Sequence, residues 1–170
     1  MNIIIDGYNY FHFLLEKSGD SIPDFERGRE KIIDRLAQYR KYKPNTITVV
    51  FDGTDSYNLY RSNNSQQGIK VLFSAQGEKA DDVIMDIADY GDLIVTADRE
   101  IRDFVENNGA ESITPQEFDA KVTMSLLMGG TVKEDDNDDA YRRPISTKKK
   151  GNPKRMSKKE RKANKFLHKL

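Results

Sequence analysis

"IIIDGYN", residues 3–9, joins three isoleucines to the carboxylate of Asp6 and then to Gly7, Tyr8 and Asn9. A short apolar run closed by a polar turn reads as a buried parallel strand. Two more runs end the same way. "TITVVFDG" (46–53) stops at Asp52, and "DLIVTAD" (92–98) stops at Asp98. "GIKVLFS" (68–74) adds another strand and "ESITP" (111–115) a short one. Helical spacing fills the intervals. Residues 24–42, punctuated by Pro23 and Pro44, carry Phe25, Ile32, Ile33, Leu36 and Tyr39 on one side. Residues 78–91 turn Ala80, Ile84, Ile87 and Ala88 inward and close at Gly91. Residues 99–109 and 115–127 complete the set, the last with Pro115 in its first turn. Strands alternating with helices predict an α/β fold, a parallel sheet covered on both faces. No internal repeat is visible.

Parallel strands end at one edge, which is where open α/β sheets place their ligands. Asp6, Asp52 and Asp98 are therefore expected to meet there. At 100° per residue, Asp81 falls on the flank of its helix and can face the same edge, whereas Asp82 faces solvent. Asp103 can approach from the next helix. Several carboxylates at one place repel one another unless a cation neutralises them. Oxygen ligands without His or Cys select Mg²⁺ or Mn²⁺, and such ions support phosphoryl chemistry. Each acid also has a plainer reading: Asp52 as a turn residue, Asp98 as the cap of the helix at Arg99, Glu78 and Asp82 as charges suited to a helix start.

The composition narrows the classes. Cysteine is absent and only His12 and His168 are present, which excludes disulfides, a thiol nucleophile and a His-rich zinc centre. No apolar run is long enough to span a bilayer, and the start lacks the order of a secretory signal, so a cytoplasmic protein without a membrane partner is expected. The zero net charge conceals an asymmetry. Residues 141–170 hold 13 Lys and Arg against Glu160 alone, whereas residues 1–140 hold 15 bases against 27 acids. We read residues 1–130 as the folded domain and 131–170 as an acidic-then-basic, largely disordered tail, with a basic helix from about Ser157. Phe166, Leu167 and Leu170 hint at a small docking face. Lys148, Lys149, Lys150, Lys154, Arg155, Lys158 and Lys159 suit phosphate binding without sequence preference. A merely solubilising tail is the plainer reading.

"IIIDGYN", "VVFDG", "EKADDVIMDIA" and "VTADREIRDFVENNGAESITPQEF", in this order, resemble the motifs of the YacP-like branch of NYN domains, relatives of PIN-domain nucleases. The resemblance covers about residues 1–130. It implies a PIN-like, Rossmannoid fold and metal-dependent ribonuclease chemistry, with ribosome-associated endonucleases of messenger RNA among its members. Asp6, Asp81 and Asp98 match the catalytic, metal-binding acids, and Asn9 matches the polar residue of the opening motif. Asp52 or Asp103 fills the place of a fourth acid. The tail departs from the family's core pattern.

Tyr8, at the sheet edge after Gly7, is a candidate for stacking an RNA base, with Phe11 and Phe13 read as core. Lys79 and Arg99 stand beside proposed ligands and can hold a phosphate or form surface ion pairs. The expected function is an endoribonuclease acting on single-stranded RNA (messenger, ribosomal or transfer), with the ribosome and a second copy of the chain as further partners. The rival is a noncatalytic RNA- or ribosome-binding module. A phosphatase of the haloacid-dehalogenase type wants an aspartate at position 8, where Tyr stands, and no phosphate-binding P-loop is present.

Overall fold

A computed structural model describes residues 1–19, 25–53 and 59–130. The proposed tail residues from Lys148 to Lys159, the helix from Ser157 and the docking face at Phe166 lie outside the described residues. In chain order the elements are β1 (Asn2–Asp6), α1 (Gly7–Ser18), α2 (Phe25–Tyr42), β2 (Thr46–Phe51), β3 (Ser62–Gln66), β4 (Ile69–Phe73), α3 (Ala80–Ile87), β5 (Leu93–Val95), α4 (Arg99–Asn107), β6 (Glu111–Ile113) and α5 (Pro115–Gly130).

The described strands form one sheet in the order β3-β4-β2-β1-β5-β6. All neighbours pair in parallel except β3, which runs antiparallel to β4. The chain steps from β1 to β2 on one side and returns to β5 on the other, so the strand order reverses at β1, the place where such sheets open a crevice.

Alternation along each strand sorts the core into two layers. Ile3, Ile5, Val49, Val71, Leu93 and Val95 pack against α1, α2 and α5, with Leu36, Tyr39 and Phe118. Ile4, Val50, Leu72 and Ile94 pack against α3 and α4, with Val83, Ile84, Ile101 and Val105. Burying each of these side chains contributes roughly 1.5–3 kcal/mol.

Two elements depart from expectation. The turn foreseen at Gly7–Asn9 is the first turn of α1. Asp6 caps it, accepting from the Asn9 backbone N–H at 3.0 Å, and Tyr10 and Phe11 are buried beneath it. Gly7 is required there, because a Cβ would lie within 3.0 Å of the Phe51 ring. The second is β3, whose sequence "SNNSQ" carries no apolar pattern. It exists because Gln67 and Gly68, both with positive φ, close a two-residue hairpin onto β4.

A polar network lies within the α1, α2 and α5 layer. The Asp119 carboxylate is fully buried and accepts from Tyr10 Oη (2.9 Å), Lys17 Nζ (2.6 Å) and Arg35 Nε (2.9 Å). Burial raises the Asp119 pKa, but these three donors outweigh it and hold the carboxyl below its ordinary range.

Candidate functional site

Asp6 continues the even-numbered face of β1, that of Ile4, and so turns toward α3 and α4. Asp52, two positions after Val50, and Thr96, two after Ile94, do the same. The contacts agree with this alternation. Asp52 Oδ1 accepts from the Ala80 N–H at 2.6 Å and so holds the start of α3. Asp98 caps α4, accepting from the Glu100 N–H at 2.7 Å. Asp6 caps α1. Three strand-end aspartates therefore serve three helix N-termini, whose unpaired N–H groups favour carboxylates. The capping reading of Asp98 is correct and is compatible with a functional one, since each of these carboxylates has a second oxygen.

Asp81 sits in the first turn of α3, partly buried. Its pKa is raised, first by burial and then by the negative charges of Asp6, Asp98 and Asp52, with Lys79 opposing weakly. Among the described residues no donor reaches the Asp81 carboxylate. Asp6 is only 2% exposed. Burial raises its pKa too. The Asn9 N–H and side-chain amide, the Thr96 hydroxyl and the Tyr8 N–H pull it part of the way back.

Thr96 is a residue that sequence reasoning missed. It is fully buried, its Oγ1 donates to Asp6 Oδ2 at 3.1 Å, and the same oxygen accepts from the Asp98 N–H at 3.1 Å. One hydroxyl thus ties two of the acids together. Its parity with Ile94 was the available clue. Glu78, read as a helix-start charge, accepts from Arg61 Nε at 3.0 Å and Nη2 at 2.6 Å and from the Ala75 N–H at 3.0 Å, which braces the loop leading into α3.

Other predicted residues lie elsewhere. Asp103 is 70% exposed and faces Arg99 at 3.6 Å, so it stands on the solvent side of α4 and not among the acids acting on Asp81. Arg99 is 93% exposed in that same pair, and Lys79 is exposed. Tyr8 is not a free platform: its ring packs on Phe25 at 4.6 Å and Phe51 at 6.1 Å, because α1 turns it back into the core. Asn9 orients Asp6 through its side-chain amide. Asp82 is exposed and accepts from the Lys79 N–H at 3.4 Å.

The oxygen-only donor set suits a hard divalent cation by its chemistry. Among the described residues, however, no group of three or more His, Cys, Asp or Glu side chains is drawn together closely enough to hold a metal ion. No helix among them is long and apolar enough to cross a membrane.

Comparison with known proteins agrees with this architecture. The Bacillus subtilis (strain 168) protein described as "Uncharacterized protein YacP" is 28% identical over 94 residues, 55% of this chain and 55% of that protein. The chain thus spans about half the length of the curated relative it matches. Two crystal structures of Rae1 (YacP) from Bacillus subtilis share the fold. A mutant form superposes with a TM-score of 0.62 at 21% identity, covering 76% of this chain and 79% of that one. The other gives 0.57 at 20% identity, covering 77% and 78%. A family model for the YacP-like NYN domain matches residues 3–168, past residue 130 and into the basic segment that the motif resemblance had left aside. With nearly its whole length matched and its α/β sheet shared with the Rae1 structures, the chain belongs to the YacP-like NYN domain family and has that family's nuclease-like fold.

Proposed function

We propose that this chain is a divalent-metal-dependent endoribonuclease that hydrolyses phosphodiester bonds in single-stranded RNA. The observation that supports it is the gathering of Asp6, Asp52, Asp81 and Asp98 on the α3–α4 side of one sheet edge, where three of them raise the pKa of the fourth. Asp81, with no donor among the described residues and three like charges acting on it, is costly for a purely structural purpose.

In this reading Asp81, Asp52 and Asp98 would hold the cation. Asp6, fixed by Asn9 and Thr96, supplies the deepest negative charge. Mg²⁺ or Mn²⁺ bound there would supply a water of lowered pKa and positive charge for the scissile phosphate. Thr96 and the three helix-start contacts keep the acids oriented before substrate arrives, so that little reorganisation accompanies the chemistry. The basic segment 141–170 supplies affinity for RNA, ribosomal RNA included, that carries little sequence information and weakens with salt.

One observation favours the rival reading of a binding module without chemistry: the strand-end acids already serve as caps, and among the described residues no three of them stand close enough together to hold an ion. The full chain with Mn²⁺ or Mg²⁺ and a short unstructured RNA separates the two. Cleavage by the wild type, lost in Asp81→Asn with RNA binding retained, is the expected result. Binding without cleavage at any divalent concentration would reject the nuclease.

A further inference from the structure

Arg29 lies in the second turn of α2, on the opposite layer from the carboxylates but at the same sheet edge. Its Cζ stands 5.3 Å from the Phe73 ring centroid, 5.5 Å from Phe25 and 6.0 Å from Phe51. Phe51 is the last residue of β2 and immediately precedes Asp52. Phe73 is the last of β4 and precedes Ser74, whose Oγ accepts from the Gly53 N–H at 3.0 Å. The guanidinium is therefore positioned over the ends of the two strands next to the acidic site.

Guanidinium faces stack on rings while the N–H edges stay available for a planar anion. The carboxylate facing Arg29 is Glu26, at 3.7 Å and itself 79% exposed, too far for a hydrogen bond. Beyond this long ion pair no acceptor engages the guanidinium among the described residues, yet its side chain is only 23% exposed. Three rings thus hold an incompletely satisfied cation at a set place. A cation already ordered by packing loses little freedom when it binds a phosphate. By contrast Lys79 and Arg99, nearer in sequence to the acids, extend into solvent.

We infer that Arg29 grips a backbone phosphate of single-stranded RNA, so that the strand runs from the carboxylates across the ends of β2 and β4 toward α2. This rests on the nuclease reading and adds a direction for the substrate. The cation–π contacts alone would account for an Arg that merely packs, so the test needs a readout that packing does not move.

The test compares full-length wild type with Arg29→Met, which keeps the stem on the rings and removes the charge. Cleavage of a short unstructured RNA is followed across a salt series. A lost charged hydrogen bond predicts that kcat/KM falls about tenfold at low salt, while kcat at saturating RNA stays within about threefold. The slope of log kcat/KM against log salt becomes shallower by about 0.7, one single-strand phosphate contact, and Arg29→Lys restores that slope. Unchanged kcat/KM with an unchanged slope overturns the assignment. A loss that follows a lowered melting temperature, with the slope intact, also overturns it and leaves Arg29 as packing. If Arg29→Met does not fold, Arg29→Gln carries the same expectations. Fluorescence anisotropy on the same RNA keeps the two proposals apart. A wild type that binds without cutting, and binds less well as Arg29→Met, sinks the nuclease and leaves the phosphate contact.

Discussion

Replacing Asp81 by Asn should stabilise the protein. The substitution keeps the shape of the side chain and removes a charge on which Asp6, Asp98 and Asp52 all act unfavourably. At partly exposed positions a like-charge pair costs about 0.2–0.5 kcal/mol, so three come to roughly 1 kcal/mol. The start of α3 returns about 0.3 kcal/mol of attraction, and Lys79 a little more. The net gain on removing the charge is about 0.5–1 kcal/mol, which for a chain of this size raises Tm by about 1–4 °C. The assay is a circular-dichroism melt at pH 7, low salt, with a chelator. The folded-state pKa of Asp81 lies above its ordinary 3.8. The destabilisation therefore belongs to the ionised form, is full above that raised value, and disappears as pH falls toward 3.8. The difference between variant and wild type should shrink on acidification, and also in high salt. Mg²⁺ or Mn²⁺ should then raise the wild-type Tm more than that of the variant. An Asp81→Asn protein that melts at or below the wild type at pH 7 in chelator would refute the repulsion on which the site argument rests.

Further outcomes follow from the same contacts. Thr96→Val removes the donor to Asp6 and the acceptor for the Asp98 N–H; it should cost about 1–3 kcal/mol in a denaturant titration and lower the cleavage rate in a folded sample. Asp6→Asn is expected to abolish cleavage, and because Asp6 accepts from Asn9 and Thr96 its melt should fall, which makes Asp81→Asn the cleaner probe of chemistry. Asp119→Ala strands Tyr10, Lys17 and Arg35 and should cost about 3–5 kcal/mol by urea unfolding; because the Asp119 pKa is lowered, the wild type's advantage is full above 3.8 and is lost as pH drops below it. Gly7→Ala drives a methyl into the Phe51 ring and should cost about 1–3 kcal/mol in the same titration while displacing Asp6.

The parallel strands and α2 to α5 were legible because their apolar residues recur with the right periods over enough length. α1 was not, because "GYNYFHFLLEKS" opens on glycine and is rich in aromatics, poor helix formers; a cap from Asp6 and burial of Tyr10 and Phe11 override that preference. β3 was hidden for the reverse reason: a polar run becomes a strand only through its hairpin with β4. The convergence of Asp6, Asp52, Asp81 and Asp98 followed from strand direction and helix angle, which sequence carries. Asp103 and Tyr8 were misplaced because five residues along a helix, or one residue past a glycine, do not say which way a side chain points. The parity of Thr96 with Ile94 gave its face but not its bond to Asp6, and the ring contacts of Arg29 cross elements in a way that no reading along the chain shows.

The double duty of the strand-end acids has a consequence for descendants of this chain. A lineage under no selection at this site would still keep Asp6, Asp52 and Asp98, since folding itself selects for them. Asp81, which supports no neighbour and is pushed by three, would drift first. Its loss in a relative would mark a site released from selection, whereas survival of the other three would say nothing about whether that site is still in use.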